Sequence, residues 1–177
     1  MRKNICIIDD QWPAEHYPGF IDETKKIEES ALKYLYQSHS DWPEEELFKL
    51  AKEIIDNHNN EWTISAFKNP NLYFNHIEEE IFSPDIIIFD WDYGIPFDTD
   101  EALLKILESS YSIIAVYTGA DKENEVTDIV NDTKFDLYRD RVRIIKKGDT
   151  DAVKQVIEYC NQKFKDNFSY KFGQELK

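Results

Sequence analysis

Asp9 and Asp10 close a short apolar run, NICII (Asn4 to Ile8), and Asp90 and Asp92 close another in PDIIIFDWDYG (Pro84 to Gly94). Thr118 and Gly119 follow the apolar IIAVY, and Lys146 and Lys147 follow RVRII. Clustered carboxylates raise each other's pKa unless a cation sits among them. Ligation by oxygen alone, with places left for water and a phosphate oxygen, is how Mg²⁺ is held. An aspartate in such a site can act as a nucleophile and become an acyl phosphate. A lysine and a hydroxyl then balance and orient the phosphoryl oxygens. Taken singly, Asp9-Asp10 reads as a helix cap, Thr118-Gly119 as a turn and the lysine pair as a solvated edge. Taken together, four strand ends of this kind favour a site.

The elements that must bring these residues together follow from periodicity. Ile86, Ile87, Ile88 and Phe89, bounded by Ser83-Pro84 and Gly94, predict a strand buried on both faces. WTISAF (Trp62 to Phe67) is a β-branched and aromatic strand closed by a turn at KNPN. SIIAVYTG and RVRIIKKG complete a set of five. Between them, helical spacing predicts helices over Tyr73–Phe82 (Phe74, Ile77 and Ile81 inward), Thr99–Ser109 and, more weakly, Lys122–Asn131. A last helix starts near Asp149 or Thr150, with Asp149 and Asp151 as capping residues, and turns Val153, Val156, Ile157, Cys160 and Phe164 inward.

Between the first two strands, one helix with its loops needs roughly 20 residues, and residues 11–61 leave room for two. One is expected over about Ile21–Gln37. The other follows SDWPEEE, where Pro43 and three glutamates suit a helix start, and carries the stripe Leu47, Leu50, Ala51, Ile54, Ile55 and His58. Trp12, Tyr34, Tyr36 and Trp42 fall in the same segment, which is expected to fold onto the rest. The order β, two helices, then alternating β and α implies a parallel sheet with helices on both faces. The expected fold class is therefore α/β, a doubly wound five-stranded parallel sheet with an extra helix after the first strand. In strand order 2-1-3-4-5 the first and third strands adjoin at the switch point, where ligands of such sheets bind.

The totals restrict the classes of function. A formal net charge of −15 opposes direct binding of nucleic acid or an anionic membrane. No apolar run approaches the roughly 18 residues of a membrane span, and the expected location is cytoplasmic. Cys6 and Cys160 read as buried reduced thiols. His16, His39, His58 and His76 lack metal-ligand spacing and are given no role.

In the order IIDD, PDIIIFDWDYG, IIAVYTGA and RIIKKG, the chain resembles the receiver domains of two-component response regulators. The likeness spans Asn4 to Asp10 and then Trp62 to about Asn167, and the chain is expected to be one receiver-like domain over residues 1–177. The resemblance implies a flavodoxin-like sheet with Asp90 as phosphoacceptor and Asp9 and Asp10 as Mg²⁺ ligands, joined by Asp90 and by the backbone carbonyl of Asp92. It further implies Thr118 as the switch hydroxyl and Lys147 as the phosphate-pairing lysine, with Lys146 an open alternative. Three positions depart from the family: Gly148 where a proline follows the lysine, Ile144 where an aromatic switch residue stands, and Gly94 where a proline is common.

The expected function is a signalling receiver, phosphorylated on Asp90 with Mg²⁺ as cofactor. It is not an enzyme beyond autophosphorylation from small donors and autodephosphorylation. Expected partners are a histidine kinase or phosphotransfer protein and an output protein. With Ile144 in place of an aromatic, the change is expected to leave through the loop after the fourth strand. Two alternatives stand beside this reading. One is a pseudo-receiver that binds protein without being phosphorylated. The other is a phosphohydrolase, since IIIFDWDYG also resembles the opening motif of the haloacid dehalogenase superfamily. The latter lacks the later strand with an acidic pair.

Overall fold

The computed structural model describes residues 3–10, 50, 54, 62–79, 84–93, 98–119, 121–148 and 151–166. Five strands, β1 (Lys3–Ile8), β2 (Trp62–Phe67), β3 (Ile86–Asp90), β4 (Ile113–Thr118) and β5 (Val142–Lys146), form one sheet in the order β2-β1-β3-β4-β5. Every pairing is parallel. This is the doubly wound architecture expected from the alternation of elements.

The apolar strands bury both faces because residues alternate across the pleat. Ile5, Ile7, Ile86, Ile88, Ala115 and Tyr117 lie on one face with Ala152 and Val156. Cys6, Ile8, Ile87, Phe89, Ile114 and Val116 lie on the other, against Phe74, Leu103, Ile106 and Val126. Four helices supply these partners: α1 (Pro70–Glu79), α2 (Thr99–Ser109), α3 (Glu123–Val130) and α4 (Ala152–Asp166). α4 covers the first face and α1 to α3 the second.

The predicted bounds of α2 and α3 agree closely with the structure. α1 starts earlier than the pattern suggested. Asn69 accepts the Leu72 N–H through its side chain at 3.0 Å, and Pro70 occupies the first helical position. KNPN is therefore a helix start as well as the end of β2, since a missing N–H costs nothing in a first turn. Tyr73 and Phe74 are buried and Ile77 partly so, while Ile81 lies outside the described residues. So do Asp149, Thr150 and the side chains of Val153, Cys160 and Phe164. Asp151 accepts the Gln155 N–H through its carbonyl at 2.8 Å, as a residue at a helix start does. Cys6 is buried, as expected.

The two helices expected between β1 and β2 lie outside the described residues except at Leu50 and Ile54. Both of these are helical and buried, on the face shared by Ile5, Ile7 and Ile64. No helix of the described residues is long and apolar enough to cross a membrane.

Register fixes what happens at the carboxyl edge. Ile8 lies opposite both Phe67 and Phe89, so Asp9 and Asp90 leave neighbouring strands at the same level. Asp90 pairs with Tyr117 and Thr118 with Lys146. The next residue along each strand, Thr118 and Lys147 in turn, therefore reaches the same edge.

Candidate functional site

Backbone hydrogen bonds carry the sheet just past its formal ends and hold the polar residues there. The Asp9 N–H donates to the Phe67 carbonyl at 3.0 Å, the Trp91 N–H to Tyr117 at 3.2 Å, and the Lys147 N–H to Thr118 at 2.6 Å. Each bond fixes a strand end relative to its neighbour, so side chains distant in sequence converge.

Asp9, Asp10 and Asp90 each offer a carboxylate oxygen, and these oxygens lie within 4.8 Å of one another. Asp9 and Asp90 are buried and Asp10 is partly exposed. Lys147 Nζ stands 2.6 Å from Asp90 Oδ1 and 3.9 Å from Asp9 Oδ2. Between the two candidate lysines, it is Lys147 that the structure brings to the cluster. Lys146 is still within β5, opposite Thr118.

Asp90 Oδ2 and the Thr118 hydroxyl are buried at this edge without a hydrogen-bond partner among the described residues, as is Asp92 Oδ1, which has the Lys122 ammonium beside it. An unsatisfied buried acceptor is costly, and more so when charged. Burial raises the Asp90 pKa, opposed by the charge and hydrogen bond of Lys147. Three carboxylates with one lysine among them leave an excess of negative charge in a partly desolvated place. The residues fit a small divalent cation ligated by oxygen.

Asp92 behaves differently. Its N–H donates to Asp90 Oδ1 at 3.1 Å. Its carboxylate turns to the segment after β4, accepting the Gly119 N–H at 2.9 Å and pairing with Lys122 Nζ at 2.7 Å. Burial opposes its ionisation, but the Lys122 and Gly119 hydrogen bonds and the Lys122 and Lys147 charges prevail and hold its pKa below the usual value. A Cβ at Gly119 would lie 3.1 Å from Asp92 Oδ2 and 2.9 Å from Asp121 Oδ1. A side chain at this position would press on the carboxylate and push it back.

Sequence reasoning missed two participants. Tyr93 donates its hydroxyl to the Ile8 carbonyl at 3.1 Å. Burial, followed by the charges of Asp90, Asp9 and Asp10, keeps it protonated well above the usual range. Lys122, just before α3, is the other; nothing in its local sequence distinguishes it from a solvated lysine. Of the family departures, Ile144 lies opposite Val116 and packs on the α1–α3 face. Gly148 has φ +83, which a proline ring cannot adopt. Gly94 and three of the histidines lie outside the described residues; His76 packs against Phe67 with ring centroids 5.5 Å apart.

No protein-family model and no curated protein matches the sequence. Solved structures do. A response regulator receiver domain protein from Clostridium thermocellum superposes with a TM-score of 0.50 at 13% identity, over 91% of this chain and 96% of that one. The fold is that of a receiver domain. A protein described as an adenylate cyclase from Rhodopirellula baltica superposes with a TM-score of 0.60, also at 13% identity, over 99% of this chain and 97% of that one. At such identities the likeness is one of fold, and neither protein's activity transfers with it.

Proposed function

We propose that this chain is a phosphoacceptor receiver, acting as one unit over residues 1–177 and phosphorylated on Asp90. The observation that carries the reading is the state of the Asp90 carboxylate. One oxygen is paired with Lys147 at 2.6 Å, and the other is buried without a partner beside Asp9 and Asp10. A carboxylate kept only for a salt bridge would not be placed among two others.

Asp9, Asp10, Asp90 and the backbone carbonyl of Asp92 would hold Mg²⁺, which when bound offsets the negative charge of an incoming phosphoryl donor. The ionised Asp90 carboxylate attacks phosphorus and needs no general base. A P–O bond forms as the bond from phosphorus to the donor breaks, giving an acyl phosphate. Lys147 is already at the acceptor and pairs with the new dianion. The unpaired Thr118 hydroxyl donates to a phosphoryl oxygen. The donor is a phosphohistidine of a kinase or phosphotransfer protein, or a small acyl phosphate. The signal leaves by protein–protein contact with an output protein, and the acidic surface disfavours nucleic acid.

A phosphohydrolase of the haloacid dehalogenase type would use Asp92 as its general acid. Asp92 is instead held ionised, with both carboxylate oxygens engaged. That speaks for a receiver.

Incubation with acetyl phosphate and Mg²⁺, followed by borohydride trapping, should mark Asp90 and no other carboxylate. Label that persists in Asp90→Ala would refute the assignment. Label that never forms, despite demonstrable metal binding, would leave the pseudo-receiver as the better account.

A further inference from the structure

We infer that Asp92 and Lys122 are positioning residues that clamp the segment after β4, so that a change at Asp90 is passed to α3. The inference deepens the proposed function and rests on Asp90 as the acceptor.

The geometry leaves little slack between acceptor and clamp. A single residue, Trp91, separates Asp90 from Asp92. It is buried, its N–H is tied to the Tyr117 carbonyl, and its ring meets Phe89 edge-on at 6.5 Å. The Asp92 N–H donates to Asp90 Oδ1, the same oxygen that Lys147 holds. Acceptor and clamp thus share a hydrogen bond. Any chemistry that redistributes charge on the Asp90 carboxylate alters what the Asp92 backbone is bonded to.

Asp92 in turn grips two points beyond β4. One oxygen accepts from Gly119, which directly follows the unpaired Thr118 hydroxyl; the other holds the Lys122 ammonium. Lys122 is built into the start of α3: its N–H donates to the Gly119 carbonyl at 3.2 Å, and its carbonyl accepts the Val126 N–H at 2.9 Å. Val126 is fully buried against the core of that face. A continuous path of bonded groups therefore runs from Asp90 to a packed helix. It avoids β5, where Ile144 has no polar group to follow a moving hydroxyl.

The Asp92–Lys122 pair is not there for stability. Their side chains are 28% and 42% exposed, and ion pairs of that exposure contribute little. A role in placing the segment and a role in holding up the fold can thus be separated by experiment.

The test uses the full chain, amide hydrogen exchange by NMR, and beryllofluoride with Mg²⁺ as the acyl phosphate mimic. Lys122→Met should raise exchange at the Gly119 amide roughly tenfold, the loss of about one hydrogen bond's protection. Melting temperature and Mg²⁺ affinity should stay nearly unchanged, and Lys122→Arg should restore protection. Beryllofluoride should shift the amides of Glu123–Val130 in the wild type and in Lys122→Arg, but not in Lys122→Met. Gly119→Ala, which wedges a methyl against Asp92, should reproduce the Lys122→Met result. Unchanged Gly119 exchange in Lys122→Met and Gly119→Ala would overturn the clamp. Equal α3 shifts in Lys122→Met and wild type would overturn the relay. A wild-type protein that binds no beryllofluoride would remove the acceptor reading and the relay with it, while Gly119 exchange would still decide the clamp.

Discussion

Asp90 and Lys147 show how a few atoms define the site. Lys147 is 15% exposed and its partner carboxylate fully buried. Removing one member of a buried pair leaves the other charge uncompensated, at a cost of about 3–5 kcal/mol. Lys147→Met should therefore lower stability in a chelator by about 3 kcal/mol, read by urea denaturation. On the proposed function, added Mg²⁺ should recover much of that loss, because a cation among Asp9, Asp10 and Asp90 replaces the missing charge. In the wild type, Mg²⁺ at about 100 times its Kd should add roughly 2.7 kcal/mol. Asp10→Asn should abolish most of the corresponding rise in Tm, and Asp136→Asn, an exposed carboxylate paired with Arg139, should leave it intact. Equal responses in the two variants would mean that the ion acts only by screening.

At the scale of elements, two arginines from one turn finish two helices. Arg141 donates to the carbonyls of Leu107, Ser110 and Ser112, closing the end of α2. Arg139 donates to Val130, Asn131 and Asp132 at the end of α3. Terminal carbonyls have no partner within their own helix, and a guanidinium can reach several at once. Arg141→Ala should cost about 2–3 kcal/mol, since hydrogen bonds from a charged group are the stronger kind. Arg141→Lys should recover less than half, because a single ammonium cannot span the three positions. Thermal melts of the two variants check this. Gly148, just beyond β5, adopts φ +83 with nothing within 4 Å of where a Cβ would stand. The cost of Gly148→Ala is therefore one of backbone alone, about 1 kcal/mol. Gly148→Asn should cost less.

For the whole molecule, the segment between β1 and β2 contributes to the core. Leu50 and Ile54 are buried with Ile5, Ile7 and Ile64 on the face that α4 also covers. A face of a five-stranded sheet is wider than one helix, and among the described residues these two side chains add to the cover that α4 gives. Leu50→Ala should cost about 2–5 kcal/mol, as much as a truncation within β1 or β3. A loss below 1 kcal/mol in denaturant titration would show that the segment merely rests on the fold.

The period of the apolar residues and the order of the elements were legible in the chain itself. Runs such as IIIF and IIAVY can satisfy their apolar side chains only inside a parallel sheet with helices on both faces. Their order implies where the carboxyl ends lie. That is why Asp9, Asp10, Asp90, Thr118 and the Lys146-Lys147 pair could be picked out as strand-end residues, while the strand order and the separate roles were implied by the resemblance to receiver domains. Other features depend on distances between residues far apart in sequence, which periodicity does not encode. KNPN looked like a turn because its role as the cap of α1 depends on where Asn69 points. Lys146 and Lys147 are equivalent as letters, and only the ladder bond from Lys147 to Thr118 and the reach of its ammonium to Asp90 separate them. The grip of Asp92 on Gly119 and Lys122, and the turn of Tyr93 to the Ile8 carbonyl, arise from side-chain directions at the sheet edge. Sequence determined which chemistry the strand ends could support; packing decided which atoms of those residues meet.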